Sequence, residues 1–231
     1  MPQPPADWLA RLPADRLIAE VSMWSADLVR LADETARIEP FADMLHVDVA
    51  DGHFAPALLF FPDLVARMRA LTALPIHIHL MVRDEILLAQ IDQFAEAGAD
   101  LVSIHAESAA VASEALDRLE ALGLAKGMVL RVETPVEAAA PWLKRLDFLT
   151  LLGTAIGVKG QGLDHQACAR LEATGGLIAA EDRRIVLAAD GGIREHTVPQ
   201  LRAAGAETVV MGSLAFGAED LSARMRWLHA L

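Results

Sequence analysis

The sequence predicts a (β/α)8 TIM barrel in a single domain, and three observations lead there. Short apolar runs alternate with longer amphipathic segments, the pattern of βαβ units around a parallel sheet. Eight such strand-like runs fit within 231 residues, and closed barrels typically take about 250. The runs are rich in Val, Ile, Leu and Ala, as strands are when helices cover the sheet's outer face. A doubly wound open sheet is the structural alternative, but with about five or six strands it leaves some of the runs unplaced.

In chain order the strands are expected at 17–22, 44–49, 74–81, 101–105, 126–131, 148–152, 184–190 and 208–212. Helices are expected near 26–37, 61–72, 84–97, 110–122, 135–144, 164–180, 195–204 and 217–230. Ser25 stands before the first as a cap, and Thr134-Pro135 opens the fifth. Ala-Gly-Ala at 97–99 and again at 204–206 closes a helix and leads into a strand, and Gly123 closes the fourth helix. Before the first strand, residues 1–16 read as an N-terminal extension. A short helix at 8–12, between Pro5 and Pro13, is placed to cover the barrel's bottom. No linker, low-complexity tract or charge block divides the chain.

A net charge of −12 argues against nucleic-acid or anionic-membrane partners, which need a basic face. A small anion remains compatible, because a pocket can be locally positive. The single cysteine, Cys168, leaves no internal disulfide and suits a reducing compartment. The first 16 residues lack a basic region followed by an apolar run, and no stretch approaches the roughly 18 apolar residues that span a bilayer. A cytoplasmic protein is expected, with its oligomeric state left open, a homo-oligomer included.

In a parallel barrel the chemistry lies at the C-terminal ends of the strands. The second strand carries His46-Val47-Asp48, the third His77-Ile78-His79, and the seventh ends Ala189-Asp190-Gly191-Gly192. Strand period is two, so His46 and Asp48 share a side, as do His77 and His79. If those sides face the axis, imidazoles and carboxylates converge on one mouth and could hold one divalent ion, Zn2+, Fe2+, Co2+ or Mn2+. Each residue has an ordinary structural reading, a hydrogen-bonded core His or a turn-forming Asp. Together at strand ends, unpaired carboxylates would cost several kcal/mol without a cation or another partner. Gly191-Gly192 and Met211-Gly212-Ser213 follow the seventh and eighth strands, where barrels commonly bind phosphate through backbone N–H groups. The stretch from Gly153 to Gly162, with Gly157, Lys159 and Gly160, suits a lid over the substrate or a plain flexible loop.

At these residues the chain resembles the ribulose-phosphate 3-epimerase family. The resemblance is carried by 22–28 (Ser-Met-Trp-Ser-Ala-Asp-Leu), by 46–56 (His-Val-Asp-Val-Ala-Asp-Gly-His-Phe-Ala-Pro) and by His79-Leu80-Met81-Val82. It continues through 94–100, Asp190-Gly191-Gly192-Ile193 and 212–217, in family order. The likeness implies a TIM barrel in which His46, Asp48, His79 and Asp190 bind the catalytic metal, and Asp48 and Asp190 form the acid–base pair. It implies that Ser22, His79 and Met81 meet substrate, and that Gly157, Gly160, Gly191, Gly192, Gly212 and Ser213 supply phosphate-binding backbone. Lys159, in the same loop, is added as a substrate contact. By the same likeness His77 is not a ligand. The substrate implied is a small ketose phosphate. A carbon-bound proton would leave one face for Asp48 and return from Asp190 on the other, through a metal-stabilised enediolate.

The chain departs from the family in several places. Ile156-Gly157-Val158-Lys159-Gly160-Gln161 replaces a usual Pro-Gly-Phe-Gly-Gly-Gln, and Ala50 and Leu152 stand where methionines usually line the centre. Ala57 and Arg131-Val132 replace Asn and Asn-Pro, and Glu20-Val21 replaces a small residue and Pro before the serine. Because these changes surround the sugar and the lid, another ketose phosphate such as D-allulose 6-phosphate is the nearest alternative. A phosphate-binding barrel lyase is a further one, although such enzymes usually centre on a lysine. A sugar-phosphate-binding barrel without catalysis is the reading outside enzymes.

Overall fold

The structure, a computed structural model, describes residues 2–231. Its eight barrel strands run Ile18–Ser22, Met44–Asp51, Ile76–Met81, Leu101–His105, Ala125–Leu130, Phe148–Leu152, Val186–Asp190 and Thr208–Met211. Each pairs in parallel with the next, and the first pairs with both the second and the last. The sheet therefore closes, as the alternation of runs predicts, and the open-sheet alternative falls.

Side-chain alternation sorts the strands into an outer and an inner set. Val21, Val47, Ile78 and Val102 face outward and build the main core against the helices. The inward residues stack in layers. At the bottom Ile18, Met44, Leu101, Phe148 and Val186 pack against Trp8, Leu9 and Leu12. The 3-10 turn Trp8–Arg11 thus plugs the lower end, as expected of the 8–12 segment. The middle layer is polar, with Glu20, His46, His77, Ser103, Thr150 and Thr208 all buried. Above it lies the mouth.

Several boundaries differ from the sequence reading. The helix expected at 26–37 starts later and runs Leu31–Ile38, with Arg30 rather than Ser25 at the cap position, and a 3-10 turn, Met23–Ser25, precedes it. There the Asp27 carboxylate accepts the Val29 N–H at 3.2 Å, forming a local turn in place of the first helical turn. The segment at 135–144 is a 3-10 helix, Val136–Arg145, containing Pro141, which lacks the N–H that an α-helix would use. The long segment at 164–180 shortens to Ala167–Ile178, with Asp164 accepting the Gln166 N–H before it. The last helix, expected at 217–230, runs Leu221–His229, capped by Asp220 accepting the Ala223 N–H, and a separate short helix, Ser213–Phe216, precedes it. The third strand starts at Ile76, just after Pro75, rather than at 74. A two-residue strand, Leu58–Leu59, pairs antiparallel with Ala50–Asp51 and was not foreseen.

The glycine-closed helix ends hold. Gly98 takes φ +98° after Asp84–Ala97, while Gly123 and Gly205 also have positive φ. A Cβ at Gly98 would fall 2.6 Å from Arg69 Cγ, so the position is closed sterically as well. Among the described residues no helix is long and apolar enough to cross a membrane.

Candidate active site

Strand register brings the candidate residues together. Ser22 pairs with His46, and Asp48 with His79, across neighbouring strands. Asp190 ends the seventh strand opposite Leu152. Because 22, 48, 79 and 190 share inward parity at the same height, their side chains meet at the mouth. One ligand-type atom from each of His46, Asp48, His79 and Asp190 lies within 4.8 Å of all the others.

Within this cluster His46 Nε2 and His79 Nδ1 each stand 3.2 Å from Asp48 Oδ1, and His79 Nδ1 stands 4.0 Å from Asp190 Oδ2. Asp48 Oδ2 accepts the Ser22 hydroxyl at 2.8 Å. The far sides of both imidazoles are occupied too. His46 Nδ1 lies 2.7 Å from Glu20 Oε1, and His79 Nε2 lies 2.8 Å from His105 Nε2. His105 in turn meets Glu107 at 2.9 Å. Both rings are thereby fixed with one nitrogen directed at the mouth. His77 points away, to Glu20 at 2.5 Å and Ser103 at 2.6 Å.

The two mouth carboxylates differ electrostatically. Burial opposes ionisation of Asp48, yet His46 and His79 beside it hold its carboxyl well below the ordinary value. Asp190 has no such hydrogen bonds. Burial, with Asp48 close by, pushes it up to about 6.

The cluster forms the floor of a cavity of about 340 Å3 whose walls include Ser22, Met81, Gly157, Lys159, Gly160, Gly191, Gly192, Gly212 and Ser213. Every residue expected to bind metal or substrate or to move the proton therefore borders this one space, except His46, which is fully buried beneath it. Gly191 and Gly192 have φ of +87° and +71°. A Cβ at Gly212 would lie 2.4 Å from Ser25 Oγ, and one at Gly157 would lie 2.8 Å from Pro56 Cδ. Backbone approach at these points depends on glycine.

Four residues of the site escaped the sequence reading. Trp24 and Arg194 line the cavity. Lys159 Nζ donates to the Trp24 carbonyl at 2.6 Å and sits 4.6 Å over its ring. The position of Arg194, immediately after Gly191-Gly192-Ile193, was the available signal. His105 and Glu107 support His79 from behind; only strand parity pointed to His105, and nothing local pointed to Glu107. Lys159 and Arg194 make no ion pair with a carboxylate within 4.0 Å among the described residues.

A parallel barrel with acidic and imidazole groups at its mouth and glycine turns after its last two strands has the layout of an enzyme handling a small anion. A family model described as "Ribulose-phosphate 3 epimerase family" matches residues 18–216. The chain belongs to the ribulose-phosphate 3-epimerase family, isomerase-class epimerases. It is 32% identical over 201 residues to ribulose-phosphate 3-epimerase of Bacillus subtilis (strain 168), covering 86% of this chain and 92% of the relative. With ribulose-phosphate 3-epimerase 2 of Cupriavidus necator the identity is 36% over 219 residues, covering 91% and 89%. Among solved structures, 3-keto-L-gulonate-6-phosphate decarboxylase from Vibrio cholerae superposes with a TM-score of 0.71 at 14% identity, covering 93% of this chain and 98% of that one. Orotidine 5'-phosphate decarboxylase from Pyrococcus horikoshii OT3 gives 0.65 at 14%, covering 92% and 97%. At such identity these two likenesses bear on the fold alone.

Proposed function

We propose that the chain is a metal-dependent epimerase that inverts C3 of a ketose phosphate, interconverting D-ribulose 5-phosphate and D-xylulose 5-phosphate. The observation that carries this reading is the meeting of His46, Asp48, His79 and Asp190 from three strands at the cavity floor. Two imidazoles and two carboxylates suit a divalent Zn2+, Fe2+, Co2+ or Mn2+. Separations of 3.2, 3.2 and 4.0 Å match donors spread around an ion bound at about 2.0–2.2 Å. When bound, the cation supplies Lewis-acid polarisation of the substrate carbonyl and neutralises charge building on the enediolate.

The chain's own groups handle the proton. Asp48 turns Oδ1 toward the imidazoles, and Ser22 steadies Oδ2, which takes the proton from C3. Asp190, across the mouth from Asp48, is the partner that donates from the opposite face. Two carboxylates on opposite sides of the bound sugar divide the acid and base roles. Reversal of the reaction exchanges them. Backbone N–H groups at Gly191, Gly192, Gly212 and Ser213 receive the phosphate, with Gly157 and Gly160 approaching from the lid. Lys159 and Arg194 add positive charge to an otherwise acidic protein, and Met81 lends an apolar wall beside Ala50 and Ala55.

The test is conversion of D-ribulose 5-phosphate beside a panel of ketose phosphates, before and after chelation. Activity lost on chelation and restored by one divalent metal supports the reading; turnover unaffected by complete metal removal overturns it. The altered lid at Ile156, Val158 and Lys159 favours one second reading, a six-carbon ketose phosphate such as D-allulose 6-phosphate. The same panel decides between them.

A further inference from the structure

The mechanism above leaves unused a carboxylate in the middle layer of the barrel. Glu20 lies two residues before Ser22 on the first strand, so it points inward one layer below the mouth. It is fully buried. Its Oε1 stands 2.7 Å from His46 Nδ1 and 2.5 Å from His77 Nδ1, and its Oε2 stands 3.4 Å from Thr208 Oγ1. Ser103 closes the row behind His77 Nε2 at 2.6 Å. Burying a carboxylate in a barrel interior costs several kcal/mol unless donors surround it, and here two imidazole N–H groups do so.

Glu20, His46 and His77 also form a ligand-type triad of their own. Their geometry argues against a second cation there. Contacts of 2.5 and 2.7 Å are hydrogen-bond lengths, whereas donors sharing one ion at about 2.0–2.2 Å normally stand near 3 Å or more apart. None of the three borders the cavity.

We propose that Glu20 is a positioning residue: by accepting the Nδ1–H of His46 it fixes the tautomer and ring orientation that present Nε2, lone pair outward, beside Asp48. The proposal rests on the cation-binding reading of the mouth. A carboxylate behind a ligand imidazole raises its basicity and locks its direction, and loss of such a partner commonly weakens metal binding about 10–100-fold. Because Glu20 Oε1 also receives His77 and Oε2 receives the Thr208 hydroxyl, the carboxylate is held in place behind His46.

Glu20→Gln tests this at constant volume. Both rings meet the same oxygen, so the Gln carbonyl can accept both N–H groups with its NH2 toward Thr208 Oγ1, and the variant removes the carboxylate charge that raises the basicity of His46. Co2+ titration of the chelator-stripped chain, followed by visible absorption, reads affinity and ligand geometry apart from turnover. Wild type is expected to bind one Co2+ per chain. Glu20→Gln, with its far-UV circular dichroism unchanged, is expected to bind about 10–100-fold more weakly with an altered spectrum. Glu20→Asp, too short to reach both rings, is expected to fall between. A folded Glu20→Gln chain that binds within threefold of wild type overturns the proposal and leaves the epimerase reading standing. Two Co2+ per chain also overturns it. Failure of wild type to bind Co2+, Zn2+, Fe2+ or Mn2+ overturns the site reading itself, and this proposal with it. If Glu20→Gln does not fold, 15N histidine spectra of the Zn2+-loaded wild type decide. A proton on His46 Nδ1 supports the assignment, and a bare Nδ1 overturns it.

Discussion

Replacing Asp190 by Asn separates the chemistry of the mouth from its stability, because Asp190 is held by so little. No hydrogen bond reaches its carboxylate among the described residues, and its nearest ion-pair contact is His79 at 4.0 Å. Burial with Asp48 alongside lifts it from 3.8 to about 6. The raised value means that the unfolded chain ionises Asp190 more readily than the folded one. Stability from this group is therefore full below about pH 3.8 and lost as pH rises through 6. A shift of about two units corresponds to roughly 3 kcal/mol lost at pH 7 in the metal-free chain. Asp190→Asn removes that cost and leaves no partner unsatisfied. Denaturant unfolding of the metal-free variant at pH 7 should show a gain on the order of 2–3 kcal/mol. Epimerisation at saturating metal should fall about 10²–10⁴-fold, the usual worth of a placed acid–base group, or about 3–5 kcal/mol on the barrier. In D2O the epimer that presents its C3 hydrogen to Asp48 should still take up deuterium, but without inversion. A variant that epimerises at the wild-type rate, or that unfolds more easily than wild type without metal, refutes the reasoning.

Two further outcomes follow from other parts of the site. Lys159 bonds the Trp24 carbonyl and covers its ring, so Lys159→Ala should raise KM for the sugar phosphate about tenfold or more, with a smaller change in kcat; steady-state kinetics with an unchanged KM would exclude Lys159 from substrate binding. Glu107 is opposed by burial but held down to about 2 by His105, Thr134 and the Arg131 N–H. Solvent screens this exposed group and reduces its contribution, which is present above the unfolded value near 4.5 and lost as pH falls through 2. Acid unfolding of Glu107→Gln should then be less steep between pH 4.5 and 2, and identical limbs would refute the assignment.

The barrel could be read from the sequence because its evidence is local and repeated. Val, Ile and Leu runs report the strands directly, and Gly98, Gly123 and Gly205 report the helix ends that lead into them. The mouth was legible for a similar reason, since His46-Val47-Asp48 and His77-Ile78-His79 display their parity in three residues. What parity leaves open is depth. His77 and His79 share a side, yet one layer of height sends His79 to the mouth and His77 to Glu20. Only the register between strands, His46 with His77 and Asp48 with His79, fixes that difference. The contacts of Lys159 with Trp24, 135 residues apart, and of Glu107 with the Arg131 N–H are likewise products of closure. At helix starts the side chains of Asp27 and Asp164 competed with the backbone pattern, and Pro141 imposed 3-10 geometry on a segment whose amphipathic period resembled an α-helix.

The plugged bottom of the barrel has a consequence for traffic. With Trp8, Leu9 and Leu12 packed on Ile18, Met44 and Phe148, the floor offers ions and water no rear exit. Whatever is seated on His46, Asp48, His79 and Asp190 leaves by the way it came, past Lys159 and Trp24. On the proposed function, a sugar phosphate lodged in that passage would act as a cork: the ion would have to enter ahead of the sugar and would be shielded from chelators while the sugar stays.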